Sequence, residues 1–419
     1  MWVTPGLHPV LTCRRAAAHP AAGVLGGTMK ILVTSARLPH ALGVIRALGE
    51  AGHEVYASDT FRLSPGLHST HVREHFVTAS PTFETRTFVG QIADTVKSRN
   101  IDLVLPAFEE VFYLSRHLGD LATPEKYFCA PLEALHQLHD KAHFSEMVTG
   151  LGLPVGRTIT ATSEDELRAA VDEFPEYFGR AVFSRGGVAL LTNTGPLAGT
   201  VSVDECSPTP ENPWIVQEFV HGEDLCSYSV VHHGKIAGHC TYRHPLTIEH
   251  AGGIVFESID EPKTLEFTRR IVEHLGYHGS ISIDWMRLDD GGLHVVECNP
   301  RPTAGIFTME SEPFAKAVTD PDLDDPYIAA PGNQQQIDVA ILRDMFREPA
   351  DIPEDLKRLM SGTKDVYSQK GDRWPGLYVL LAYSHVFAFR HRMHVGKHKH
   401  SDLMEAQFFD ISWDGGEID

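Results

Sequence analysis

Apolar and polar positions along the chain fall into two successive regimes. From Met29 short apolar runs alternate with helical spacing: KILVT (30–34) reads as a buried strand, and Leu42, Ile45 and Leu48 recur on one helix face. Gly52 ends that helix, and EVYAS then leads to Asp59. An amphipathic stretch from Phe88 to Val96 precedes the apolar strand IDLVLP (101–106), closely followed by Glu109 and Glu110. This alternation predicts a Rossmann-like parallel sheet over 29–139, covered on both faces, with ligands gathering at the carboxyl ends of its strands.

The pattern changes near residue 140. LHDKAHFSEMVTGLGLPV reads as a helix stopped by Gly150 and Gly152. Period-two runs follow at VQEF (216–219), SYSVV (227–231), SISIDWM (280–286) and LHVVECN (293–299), which predicts a mixed or antiparallel sheet and an α+β domain over 140–320. Residues 321–419 carry helical patches such as IDVAILRDMF and read as an extension packed on that core. Residues 1–28 hold no Asp, Glu or Lys, are rich in Ala, Gly and Pro, and read as a disordered leader.

Composition narrows the function. A formal net charge of −20 over 419 residues argues against nucleic acid or an anionic membrane as partner, since polyanions attract basic surfaces. No apolar run reaches the ~18 residues of a membrane helix. Six cysteines without a Cys-x-x-Cys pair predict a reducing, cytoplasmic setting and no zinc finger. The first strand–helix turn, TSARLPHALG, lacks G-x-G-x-x-G, so a dinucleotide site is not expected there despite Asp59. The His-rich run from Arg390 to His400 is interleaved with Lys and Arg, which repel a metal cation, and reads as a basic solvated loop.

The densest chemistry lies in SISIDWMRLDDGGLHVVECNPRP (280–302). Asp290-Gly291 is a hairpin signal, and a two-residue turn there sets Asp284 opposite Glu297. The pleat then places Ile281, Ile283, Trp285, Val296 and Cys298 on a core face, and Asp284, Glu297 and Asn299 on the other with Met286 and Val295. Opposed carboxylates cost a few tenths of a kcal/mol to about one, which asks for a compensating cation. Three oxygen-bearing side chains on one face suit Mg²⁺; a protonated Asp284 or a salt bridge to a basic neighbour would also answer the conflict. Arg301, two positions beyond Asn299, would clamp a phosphate or carboxylate if the chain stays extended.

Asp284 and the run Glu297-Cys298-Asn299-Pro300-Arg301 resemble the metal-binding strand pair of the ATP-grasp superfamily, whose usual ending is Glu-x-Asn-Pro-Arg. His139-Asp140-Lys141 resembles the helix start whose Lys holds an ATP phosphate, and Gln217, Glu218, Phe219 and Val220 resemble the hinge strand that reads adenine. Gly222-Glu223-Asp224 resembles the turn whose acidic residue holds the ribose, with Glu223 and Asp224 both candidates. Where the family has Lys-Pro before its glycine-rich loop, this chain has Arg180, followed by Ser184, Arg185, Gly186 and Gly187. The match runs over roughly 29–310, with the first unit resembling the family's pre-ATP-grasp domain; the ending FDISWDG is only loosely similar to such ligases.

The resemblance implies ATP with Mg²⁺ or Mn²⁺ as cofactors, and Arg180 and Arg301 acting on the transferring phosphoryl group. It implies a carboxylate activated as an acyl phosphate and attacked by an amine, with small-molecule acid and amine as partners and pairing of such enzymes into homodimers. Glu110, Arg243 and His250 are the substrate candidates, with Glu109 and Tyr242 near them. The rival readings are bicarbonate activation of the carbamoyl-phosphate or biotin-carboxylase kind, and a non-catalytic nucleotide-binding protein motivated by Arg180.

Overall fold

The computed structural model describes residues 27–184, 190–248, 252–347, 352–392 and 407–419. Residues 1–26 of the leader, Arg185, Gly186, Gly187, His250 and most of the His-rich run therefore lie outside the described residues.

The first sheet contains β1 (Lys30–Val33), β2 (Glu54–Asp59), β3 (Val72–Val77) and β4 (Leu103–Leu105), all parallel in the order β3-β2-β1-β4. Its faces are covered as the apolar runs require. Ile31 and Val33 share a core with Leu42, Ile45 and Leu48 of α1 (Pro39–Glu50). Leu32 points the other way, to Phe88, Ile92 and Val96 of α2 (Thr85–Arg99). After β4 the chain enters α3 (Glu110–Arg116).

The helix read from Leu138 and stopped by Gly150 and Gly152 is α5 (Lys141–Gly150), and a separate helix, α4 (Leu132–His139), precedes it. Asp140 breaks them apart: its carboxylate accepts the N–H groups of Ala142 and His143, both at 2.9 Å, and caps α5. Lys141 thereby becomes the first residue of a helix.

A small antiparallel sheet follows, formed by β5 (Thr158–Ala161), β6 (Tyr177–Ala181), β7 (Leu191–Thr192) and β8 (Trp214–Glu218) in the order β5-β8-β6-β7. The large sheet comes next. β9 (Glu223–His232), β10 (Lys235–Ile248), β11 (Gly252–Ile259), β12 (Gly279–Arg287) and β13 (Leu293–Asn299) run in the order β13-β12-β9-β10-β11. The extension adds β14 (Tyr327–Ile328) beside β10, and β15 (Gln334–Gln336) and β16 (Lys364–Asp365) beyond β11. Its last helix, Trp374–Arg392, lies against the Pro65–His68 turn, where Tyr378 stacks on His68. Residues 407–419 return to the first sheet, where Arg37 forms an ion pair with Asp410 at 2.7 Å. No helix among the described residues is long and apolar enough to cross a membrane.

Candidate functional site

The β12–β13 hairpin pairs Asp284 with Glu297, Ile283 with Cys298 and Ser282 with Asn299. It reaches that register by two offsets that cancel. The turn holds three residues, closed by Leu288 N–H on the Gly292 carbonyl at 2.9 Å, with Gly291 at φ +80. A bulge at Val296 then restores the count, because Trp285 pairs with Val295 while Asp284 pairs with Glu297. The bulge corrects the predicted faces: Val295 is a core residue, packed with Trp285 and Ile283, and Val296 is half-buried.

Two cations converge on Glu297. Arg180, on β6 of the small sheet, places Nη1 2.7 Å from Glu297 Oε2 across the gap between sheets. Lys141, buried at the start of α5, lies 3.8 Å from the same oxygen and donates to the carbonyls of Val182 and Ser184 at 3.1 and 2.7 Å. Burial would raise the Glu297 carboxyl, but Arg180 and Lys141 outweigh it and hold it well below the ordinary carboxylate range. Asp284, without such a cation, is pushed well up by burial and by its ionised neighbour. The environment thus drives the two carboxyls apart, Glu297 downward and Asp284 upward.

The Nε and Nη2 groups of Arg180 are buried and have no hydrogen-bond partner among the described residues. Buried guanidinium donors are costly to leave unmade, so this spot fits an anion. The adjacent oxygens of Asp284, Glu297 and Asn299 are a hard donor set that fits a small divalent cation.

The remaining candidates sort by sheet face. Asp284 pairs with Cys226, and Cys226 with Tyr242, so these side chains share the acidic face with Asp224. Glu223 and Arg243 fall on the opposite face, where Arg243 binds Glu257 at 2.8 Å and Glu223 pairs with Arg287. Arg243 therefore does not reach the acid pair. Glu110 is a second correction: it is 1% exposed, and its Oε1 accepts the Thr34 hydroxyl and the Ala107 N–H, which ties the ends of β1 and β4 together. Glu109 is the one that meets the site, with Oε1 4.0 Å from Arg301 Nη2.

Arg301 does not follow an extended chain. Its N–H turns back on the Asn299 carbonyl at 2.7 Å, its Nη2 donates to Asn299 Oδ1 at 3.1 Å, and its guanidinium lies over Phe108 at 4.4 Å. At the hinge, Gln217 donates to the Thr158 hydroxyl, while the N–H groups of Glu218 and Phe219 are taken by the Arg157 and Glu176 carbonyls. The Glu218 side chain is exposed. Ser184 Oγ closes a turn on the Ala181 carbonyl at 2.7 Å. Asp59 is consumed by Arg37, in line with the missing dinucleotide fingerprint.

A family model for the ATP-grasp domain matches residues 197–305, the span from the hinge strand through the acid pair to Arg301. This span is an ATP-grasp domain. The carbamoyl phosphate synthase large chains of Mycobacterium tuberculosis and Mycobacterium bovis are 25% identical to it over 231 residues, covering 49% of this chain and 19% of theirs. The chain thus spans about a fifth of the length of the curated relatives it matches. An N5-carboxyaminoimidazole synthetase from Staphylococcus aureus, solved with ADP, superposes with a TM-score of 0.58 at 12% identity, covering 79% of this chain and 89% of that one. A phosphoribosylamine–glycine ligase from Thermotoga maritima gives a TM-score of 0.54 at 17% identity, covering 73% and 78%. At these identities the likenesses show a shared fold, over 79% and 73% of this chain.

Sequence reasoning missed Glu109 as the neighbour of Arg301, and Cys226 beside Asp284. No local motif marks either; both follow from strand register and from the meeting of two sheets.

Proposed function

We propose that this ATP-grasp protein is an ATP- and Mg²⁺-dependent ligase. It activates a small-molecule carboxylate as an acyl phosphate and couples it to an amine, with ADP and phosphate as products. The observation that carries the reading is the convergence of Arg180 and Lys141 on the Asp284–Glu297 pair, with two buried guanidinium donors still to be satisfied.

Asp284, Glu297 and Asn299 would hold the metal. When bound, Mg²⁺ neutralises charge on the phosphate oxygens. The protein groups do the rest. Arg180 offers Nε and Nη2 to a phosphate oxygen while Nη1 stays near Glu297, and Lys141 adds a point charge at the same place. Val220 is the hinge position left to offer its N–H to adenine, since the two before it are committed within the sheet. Asp224, on the acidic face, is assigned the ribose in preference to Glu223. Arg301, held over Phe108 and near Glu109, faces the carboxylate that accepts the phosphoryl group.

The test is product release. With ATP, Mg²⁺ and pooled acids and amines, ADP should appear only when both an acid and an amine are present. The curated relatives favour a second reading, in which bicarbonate is the carboxylate; turnover with bicarbonate alone would establish it. AMP and pyrophosphate as products would remove both.

A further inference from the structure

The C-terminal segment reaches both banks of the candidate site through a single residue. It is anchored on the first sheet by Arg37, which donates to Asp410 Oδ1 and Oδ2 at 2.7 and 3.0 Å, and by Ser80, whose hydroxyl donates to the Asp410 carbonyl at 2.8 Å. Thr82 and Tyr113 both donate to the Ser412 carbonyl, at 3.0 and 2.8 Å. The following residue, Trp413, is 4% exposed.

One side of Trp413 faces the Arg301 bank. Its N–H donates to Glu109 Oε2 at 2.9 Å, and the other oxygen of that carboxylate is the one near Arg301. Phe408, from the same segment, packs at 4.9 Å against Phe108, the ring beneath the Arg301 guanidinium.

The other side faces the phosphate bank. The indole stacks on Phe112 at 4.5 Å and on His139 at 6.1 Å, and meets Phe183 edge-on at 5.6 Å. Phe183 sits between Val182 and Ser184, the two residues whose carbonyls hold Lys141. Gly415 shows how closely the segment fits that ring: its φ is +88, and a Cβ there would stand 2.3 Å from Phe183. Filling a groove on the first sheet would require none of these contacts.

We infer that Trp413 is a positioning residue that sets Phe183, and with it the carbonyl seat of Lys141, while its backbone N–H orients Glu109 beneath Arg301. The inference rests on the nucleotide reading proposed above and adds a control element to it from the far end of the chain.

The experiment titrates Mg²⁺·ADP into the full-length chain by calorimetry. It compares wild type, Trp413→Ala, Trp413→Phe, Phe183→Ala and the double variant Trp413→Ala/Phe183→Ala. Losing the aromatic contacts should raise the Kd of Trp413→Ala by about tenfold. Trp413→Phe should recover most of that loss, and Phe183→Ala should match it. The double variant should lose little beyond either single change, because both act through one contact. Phe183 is half-buried, so its variant reads the same arm if Trp413→Ala does not fold. Single variants within twofold of wild type, or losses that simply add, would overturn the inference. A wild-type chain that takes up no nucleotide would instead overturn the proposed function.

Discussion

Arg180→Gln isolates the electrostatic unit at the centre of the site. Arg180 Nη1 is 2.7 Å and Lys141 Nζ 3.8 Å from the same Glu297 oxygen, and the two cationic side chains are almost fully buried. At an effective dielectric near 20 the attraction scales inversely with these distances, so Arg180 supplies about three-fifths of it. Breaking a buried pair outright costs about 3–5 kcal/mol. With Lys141 remaining, the variant should lose about 2–3 kcal/mol, read as a lower urea midpoint at unchanged slope. Most of this cost is the charge left on Glu297, not the bond itself. Arg180→Gln/Glu297→Gln should therefore recover the larger part, with a coupling of about 2 kcal/mol. An Arg180→Gln midpoint equal to wild type, or a double variant that loses the sum of the single losses, would refute this account of the pair.

Glu297→Gln should abolish Mg²⁺-dependent turnover and weaken Mg²⁺-dependent nucleotide binding while circular dichroism stays native; unchanged activity would remove Glu297 from the metal set. Val295→Ala should cost about 2 kcal/mol and Val296→Ala well under 1 kcal/mol in urea unfolding, because the bulge sends only the first into the core. Equal losses would contradict the register. Burial lowers His40 and His239 from 6.5 to about 3, so both fold as neutral rings. The unfolded chain binds their protons first: stability is full above pH 6.5 and falls below it, by about 1.4 kcal/mol per pH unit for each ring, until the folded value is reached. Acid unfolding of His239→Gln should show a shallower slope between pH 6 and 4 in direct comparison with wild type, and an identical slope would count against a neutral His239.

The parts legible in the sequence are those that local pattern dictates. β1 and β2, the helix faces of α1 and α2, and β13 with its exact ends follow from apolar spacing and from glycine and proline punctuation. Where one residue does two jobs, pattern misleads. Asp140 sits inside a stretch whose apolar spacing continues from Leu138, yet its side chain caps α5, separates it from α4 and sets Lys141 at the helix start. Glu109 and Glu110 look alike in the chain, but adjacent positions at the start of α3 point apart. One ties β1 to β4, and the other reaches the cleft. Trp413 lies in the ending FDISWDG, but its contacts are not readable there because its partners come from three distant segments, at Phe112, His139 and Phe183.

The acid pair shows how far such reasoning carries. Opposed carboxylates on a well-formed hairpin demand neutralisation, and that demand is readable from residue types and register alone. Its answer is not, because it is assembled from elsewhere: a guanidinium from the small sheet and an ammonium from a helix start. Both cations act on Glu297, so the opposed carboxylates by themselves do not specify a metal. What points to a ligand is the residue of that balance. Arg180 carries three nitrogens into a buried place and uses only one on Glu297, and a fold that needed only to quiet a carboxylate would have been served by Lys141 alone.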